Sequence, residues 1–189
     1  MTANILPRPL LLAACFFLAG CWQADGSLYG KIDTITPFRE GLVTETGGKD
    51  PAQNFDVTLN RDGVYRMIGR DQGTDDFGEG FSLSFFAIAG LPDNVYAYEA
   101  VSLSHCATPS GCDPVKPGDP RYYGLIRTNI GGADEIRPDC KEDSAITYRL
   151  GVTGDTSGVC TFKDRATLEK SLVALAAGGK KAEHFYRFH

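Results

Sequence analysis

The feature that most limits what this chain can become is an apolar run that is too short. Leu10 to Ala19 reads Leu-Leu-Leu-Ala-Ala-Cys-Phe-Phe-Leu-Ala without a break. A hydrocarbon core of about 30 Å needs roughly twenty helical residues to cross it, so this segment cannot span. The stretch before it, Met1 to Pro9, carries one basic residue, Arg8, and no acid. A short basic region, a short apolar region and a small-residue site together read as a secretory signal. Residues 1–20 are therefore expected to be removed, leaving 169 of the 189 residues to build their own core after export.

The residues that end the run are Leu18-Ala19-Gly20-Cys21. They resemble the lipobox of bacterial lipoproteins. That resemblance implies diacylglyceryl transfer to the Cys21 thiol, cleavage before Cys21 and acylation of the new amino group. Leu12-Ala13-Ala14-Cys15 fits the same four-residue pattern, but only about three apolar residues precede it, too few for a signal. Each buried methylene contributes about 0.8 kcal/mol, and two or more chains give stable attachment where one is marginal. Lipoproteins of this kind are held at an inner membrane by Asp after the cysteine; Trp22 stands there instead. In a host with two membranes the resemblance thus implies the periplasmic face of the outer one. Residues 21–27 are expected to form a tether, reaching about 25 Å at most from Trp22 to Ser27, and residues 28–189 a single β-rich domain.

Four cysteines remain beyond the anchor: Cys106, Cys112, Cys140 and Cys160. An even number in an exported domain reads as disulfides, with three possible pairings. The sequential pairing is favoured, Cys106 with Cys112 and Cys140 with Cys160. The spacings C-x5-C and C-x19-C are not those of a zinc ribbon, so no metal or other cofactor is expected. Without Arg8 the formal charge moves from −5 to −6. An acidic domain repels phosphate backbones, which excludes nucleic acid as an expected partner.

Hydrophobic periodicity predicts strands at Leu28 to Ile35, Phe55 to Leu59, Val64 to Ile68, Phe81 to Ile88, Val95 to Val101, Tyr122 to Arg127, Ile146 to Leu150, Cys160 to Phe162 and His184 to Phe188. Asn60-Arg61-Asp62-Gly63 marks a hairpin turn, and Leu91-Pro92-Asp93-Asn94 another. Gly41 to Asn54, Arg70 to Gly80 and Ser102 to Pro120 are rich in polar residues, glycine or proline and read as loops. Asp164 suits an N-cap for a helix over Arg165 to Ala177, with Leu168, Leu172, Leu175 and Ala176 on one face and Gly178 after it. The expected fold is mainly β (α+β), an antiparallel sheet or sandwich of about seven strands with one C-terminal amphipathic helix. A transmembrane barrel fits worse, because an integral barrel needs no lipid anchor.

No motif for catalysis emerges. Asp155-Thr156-Ser157-Gly158 departs from the aspartic protease pattern, which has glycine after Asp-Thr, and suits a polar turn. The acidic stretch Asp71 to Glu79 lacks the ligands of an EF-hand at the required positions. Gly78-Glu79-Gly80 and Gly47-Gly48-Lys49 lack the residues that complete nucleotide-binding loops. His105 adjoins a cysteine expected to be oxidised, while His184 and His189 fall on opposite strand faces. Tyr96 and Tyr98 share a strand face that Tyr122 can join, as a cross-strand ladder. The reading that remains is a membrane-anchored envelope module that binds an envelope protein, a glycan or a small ligand. The alternative is an envelope hydrolase with a carboxylate or serine site that no motif marks. The stapled loop before Tyr122 is the expected contact, with Lys116, Arg121 and Tyr122 as its binding residues, because two bridged cysteines and four prolines lower the entropy lost on binding.

Overall fold

Strict alternation of inward and outward side chains organises this molecule. The computed structural model describes residues 21–30, 33–47, 51–70, 77–103, 106, 108 and 111–189. Its strands are β1 (Trp22–Ala24), β2 (Thr34–Ile35), β3 (Gly41–Gly47), β4 (Gln53–Leu59), β5 (Tyr65–Arg70), β6 (Phe77–Phe86), β7 (Val95–Leu103), β8 (Arg121–Asn129), β9 (Gly132–Ile136), β10 (Cys160–Thr161) and β11 (His184–Phe188). Two helices, α1 (Ser144–Arg149) and α2 (Arg165–Ala177), lie between β9 and β11.

From β3 to β9 each strand pairs antiparallel with the next. β11 then pairs with both β9 and β3. The result is a closed eight-stranded up-and-down barrel, which corrects the expected open sheet or sandwich of about seven strands with one helix. Three short strands stand outside the ring: β2 on β6, β1 on β8, and β10 parallel to β1. Closure removes every free edge from the eight-stranded ring, which a sandwich cannot do.

Two strands escaped sequence reading because their inward positions are charged. β3 places Val43 and Glu45 inside, and β9 places Ala133 and Glu135 inside. A buried glutamate erases the apolar alternation that announces a strand. Ile146 to Leu150, expected as a strand, lies mostly in helix α1, and β6 begins inside the stretch expected as an acidic loop.

The inner core is largely aromatic. Phe55, Tyr65, Phe85 and Tyr98 line it together with Val43, Val57, Met67 and Ile126. Short connections, 60–64, 87–94 and 130–131, gather at one end of the barrel. Phe38, in the segment leading into β3, closes that end by stacking on Phe188 at 5.2 Å and meeting Phe85 edge-on at 5.1 Å. The long connections 104–120 and 137–183 gather at the other end, the mouth.

A second core lies outside the barrel wall, where Leu168, Leu172 and Leu175 of α2 pack with Phe86, Ala97, Leu125 and Phe162. Asp164 caps α2 by accepting from the Thr167 N–H at 2.9 Å. Elsewhere the outer wall carries Asp56, Arg66, Arg70, Asp134 and Arg187 on β4, β5, β9 and β11. That polarity, apolar within and charged without, is the reverse of a barrel whose wall meets lipid.

The expected tether gives way to structure. Trp22 is wholly buried, with its ring centroid 5.2 Å from that of Phe162, and β1 lies between β8 and β10. Ser27 donates to Glu99 at 2.8 Å, and Tyr123 donates to the same carboxylate at 2.9 Å. An indole this size stabilises by burying its area, so Trp22–Ala24 are packed and paired rather than a free tether.

Candidate functional site

The described residues include a cluster of charged groups inside the barrel, on its mouth side. Four strands supply it: Glu45 from β3, Tyr98 from β7, Glu135 from β9 and both His184 and Tyr186 from β11. Arg137 joins from just past the end of β9. Register explains the convergence, since His184 pairs with Glu135 on one side and Gly47 on the other, while Tyr186 pairs with Glu45.

Glu135 is the centre. Tyr98 donates to its Oε1 at 2.6 Å and Tyr186 to its Oε2 at 2.6 Å. Arg137 Nη2 lies 3.0 Å from Oε2 and 3.8 Å from Glu45 Oε1. Burial pushes the Glu135 carboxyl up, yet Arg137 and the hydrogen bonds from Arg137, Tyr186 and Tyr98 overrule it and hold the group below its ordinary value. Burial, then the neighbouring Glu135 charge, pushes both tyrosines well above theirs. Burial would lower Arg137, but Glu135 and the tyrosine hydroxyls raise it further, so it stays a cation.

His184 Nδ1 lies 2.5 Å from Glu45 Oε1, off the line of a hydrogen bond. Ligand atoms of Glu45, Glu135 and His184 fall within 4.8 Å of one another, close enough for a metal ion. The neighbouring charge fits one poorly, because Arg137 already lies against both carboxylates and supplies the positive charge a cation would bring.

Toward the mouth the inward positions mix small residues, Gly69, Ala100 and Ser102, with large ones, Gln53, Phe81 and Tyr122; Gln53 and Ser102 are exposed although they face in. Gly124 is inward too, and a Cβ there would meet the Tyr98 hydroxyl at 2.5 Å. Only glycine lets that tyrosine cross the wall to Glu135.

Cys21 lies beside this cluster. Trp22 and Tyr123 pair and both join the outer core, so Cys21 falls on the opposite, inward face, level with Gly124. It is half-buried; burial pushes its thiol up, and Arg137, Glu135 and Asp139 act on it electrostatically.

Two disulfides are formed, Cys106–Cys112 and Cys140–Cys160. The second fixes β10, and through it β1, because Trp22 pairs with Cys160. Of the expected contact residues, only Lys116 lies in the stapled loop, where its N–H donates to Asp119 at 2.6 Å. Arg121 and Tyr122 open β8 instead, paired with Ala24 and Gln23. Arg121 faces Glu99 at 3.8 Å, and Tyr122 packs against the inner core. A strand starting at Tyr122 was expected, but its pairing was not, because β1, the partner, read as a tether. Tyr96, Tyr98 and Tyr122 do share the inner face, though Tyr98 serves Glu135 rather than an aromatic ladder.

His105 and Asp71 to Asp76 lie outside the described residues. Asp155 closes a surface turn by accepting from the N–H groups of Ser157 and Val159, each at 2.9 Å. Sequence reading singled out no carboxylate pair, and missed Glu45, Glu135 and Arg137, because only barrel closure brings β3 beside β11 and β9. No protein-family model, curated protein or solved structure matches this chain.

Proposed function

We propose that this protein is a lipid-anchored envelope module that works by binding, held by acyl chains on Cys21 and receiving a small acceptor-rich ligand in the open end of its barrel. The observation that carries the binding reading is the ionic cluster on the mouth side of the barrel, where Arg137 lies against both Glu45 and Glu135. An eight-stranded barrel encloses room either for packed side chains or for one small ligand. Arg137, with its side chain 26% exposed, is more open than either carboxylate it touches. A ligand would therefore meet hydrogen-bond donors first.

The hydrolase reading fares worse. Glu135 is committed to two tyrosines and an arginine, and its lowered value suits a fixed counter-ion rather than a proton carrier at neutral pH.

The lipobox supports the anchor and, with Trp22 following it, residence on the periplasmic face of an outer membrane. Metabolic labelling with a fatty-acid analogue tests the anchor, with wild type labelled and Cys21→Ser not. Equal label would end that part of the reading. For the cup, native mass spectrometry of protein released from its own envelopes should show a small bound mass. Ser102→Phe, which enlarges an exposed inward position at the mouth, should lose it. A bare protein mass in the wild type contradicts the cup.

A further inference from the structure

We infer that one side of the mouth seats the protein's own anchor: the thioether and glyceryl ester groups on Cys21 rest against Gln23 and Tyr122 inside the barrel rim, and only the hydrocarbon chains leave for the bilayer. This rests on the reading that Cys21 is acylated, and it goes further by fixing where the linkage lies.

The first argument is direction. Cys21 is on the inward face of the wall, so whatever its sulfur carries begins inside the rim. The second is the lack of slack. Trp22 is held in the outer core, and the Cys21 carbonyl accepts from the Cys160 N–H at 3.2 Å. The disulfide from Cys160 to Cys140 holds that partner in turn. The peptide that follows Cys21 is therefore fixed in place at the wall.

The third argument is chemical. Thioether and ester groups accept hydrogen bonds and donate none. Gln23 and Tyr122 pair across β1 and β8 and face inward beside Cys21. Neither the Gln23 amide nor the Tyr122 hydroxyl has a hydrogen-bond partner among the described residues, and both side chains are half-buried. Both can donate to an acceptor placed beside Cys21, in exchange for water. Ester carbonyls tethered to the adjacent residue are at high effective concentration. Across the opening, Gln53 of β4 and Gly69 of β5 leave the far side of the mouth to a ligand.

The experiment compares ester hydrolysis under mild alkali in one detergent for three proteins: wild type, Tyr122→Phe, and a variant with four Gly-Ser residues inserted between Cys21 and Trp22. The insertion keeps the lipobox and β1 but frees the linkage from the rim. Intact mass before alkali reports whether Cys21 carries the diacylglyceryl group. Its absence from the wild type overturns the anchor reading itself. With the lipid present, the seat requires wild type to lose its acyl chains several-fold more slowly than the insertion variant, with Tyr122→Phe in between. Should the insertion fail to fold, Tyr122→Phe decides alone. Rates equal to wild type in the folded variants, all carrying lipid, overturn the seat while leaving the anchor standing.

Discussion

Glu135 shows how a single buried charge can be both a structural necessity and a blind spot for sequence reading. Its neighbours satisfy it so fully that removing one of them, rather than the carboxylate, should do most harm. Arg137→Met leaves two buried carboxylates, Glu45 and Glu135, without a cation, and should cost about 3–5 kcal/mol. Tyr186→Phe removes one donor and should cost about 1–3 kcal/mol. Urea denaturation measures both, and a loss from Arg137→Met no larger than from Tyr186→Phe would show that the cluster is not charge-balanced as described. The pH dependence has a fixed sign. Glu135 is held below its ordinary value of 4.5, so its contribution is complete above that pH and is lost as the pH falls through the lower folded value. Glu135→Gln should therefore differ most from wild type near neutrality, and the gap should close in acid. A gap that widens in acid would reverse the assignment. None of this was legible in the sequence, where Glu45 and Glu135 are two acids among twenty-four.

At the scale of elements, legibility followed the apolar alternation. β4, β5, β7, β8, α2 and β11 were readable because their buried positions are apolar or aromatic, with turns such as Asn60 to Gly63 between them. β3 and β9 were not, because each spends an inward position on a glutamate. β1 was hidden differently, since a strand of three residues carries no periodicity at all. Losing β3 and β9 hid closure, and losing closure hid the site. The Cys140–Cys160 bridge makes an element-scale prediction. Replacing both cysteines with Ala should cost about 3 kcal/mol in the chain-entropy model. Because the bridge fixes β10 against β1, Trp22 should report the change, its emission moving to longer wavelength before the barrel unfolds. Simultaneous loss of Trp22 emission and of the tyrosine circular dichroism would show that β1 has no separate dependence on the bridge. In α2, Leu172→Ala should cost about 2–5 kcal/mol by opening a void against the outer wall.

Among the described residues the molecule is a barrel closed at one end by aromatic rings, with Cys21 set in the half toward the other end. Its outer charges suit water, and its strand β1 begins at Trp22, the residue after Cys21. Under the proposed acylation of Cys21, the mouth side of the barrel lies against the bilayer, with no length of free chain between them. Trp22, the sole tryptophan, stands one residue from the anchor and serves as the reporter. The lipid-anchored protein can be reconstituted in vesicles containing phospholipid with a nitroxide quencher near the headgroup or deep in the acyl chain. The account predicts strong quenching of Trp22 by the shallow quencher, weaker quenching by the deep one, and relief of both when four Gly-Ser residues separate Cys21 from Trp22. Trp22 emission that neither quencher alters in the wild-type protein would contradict it.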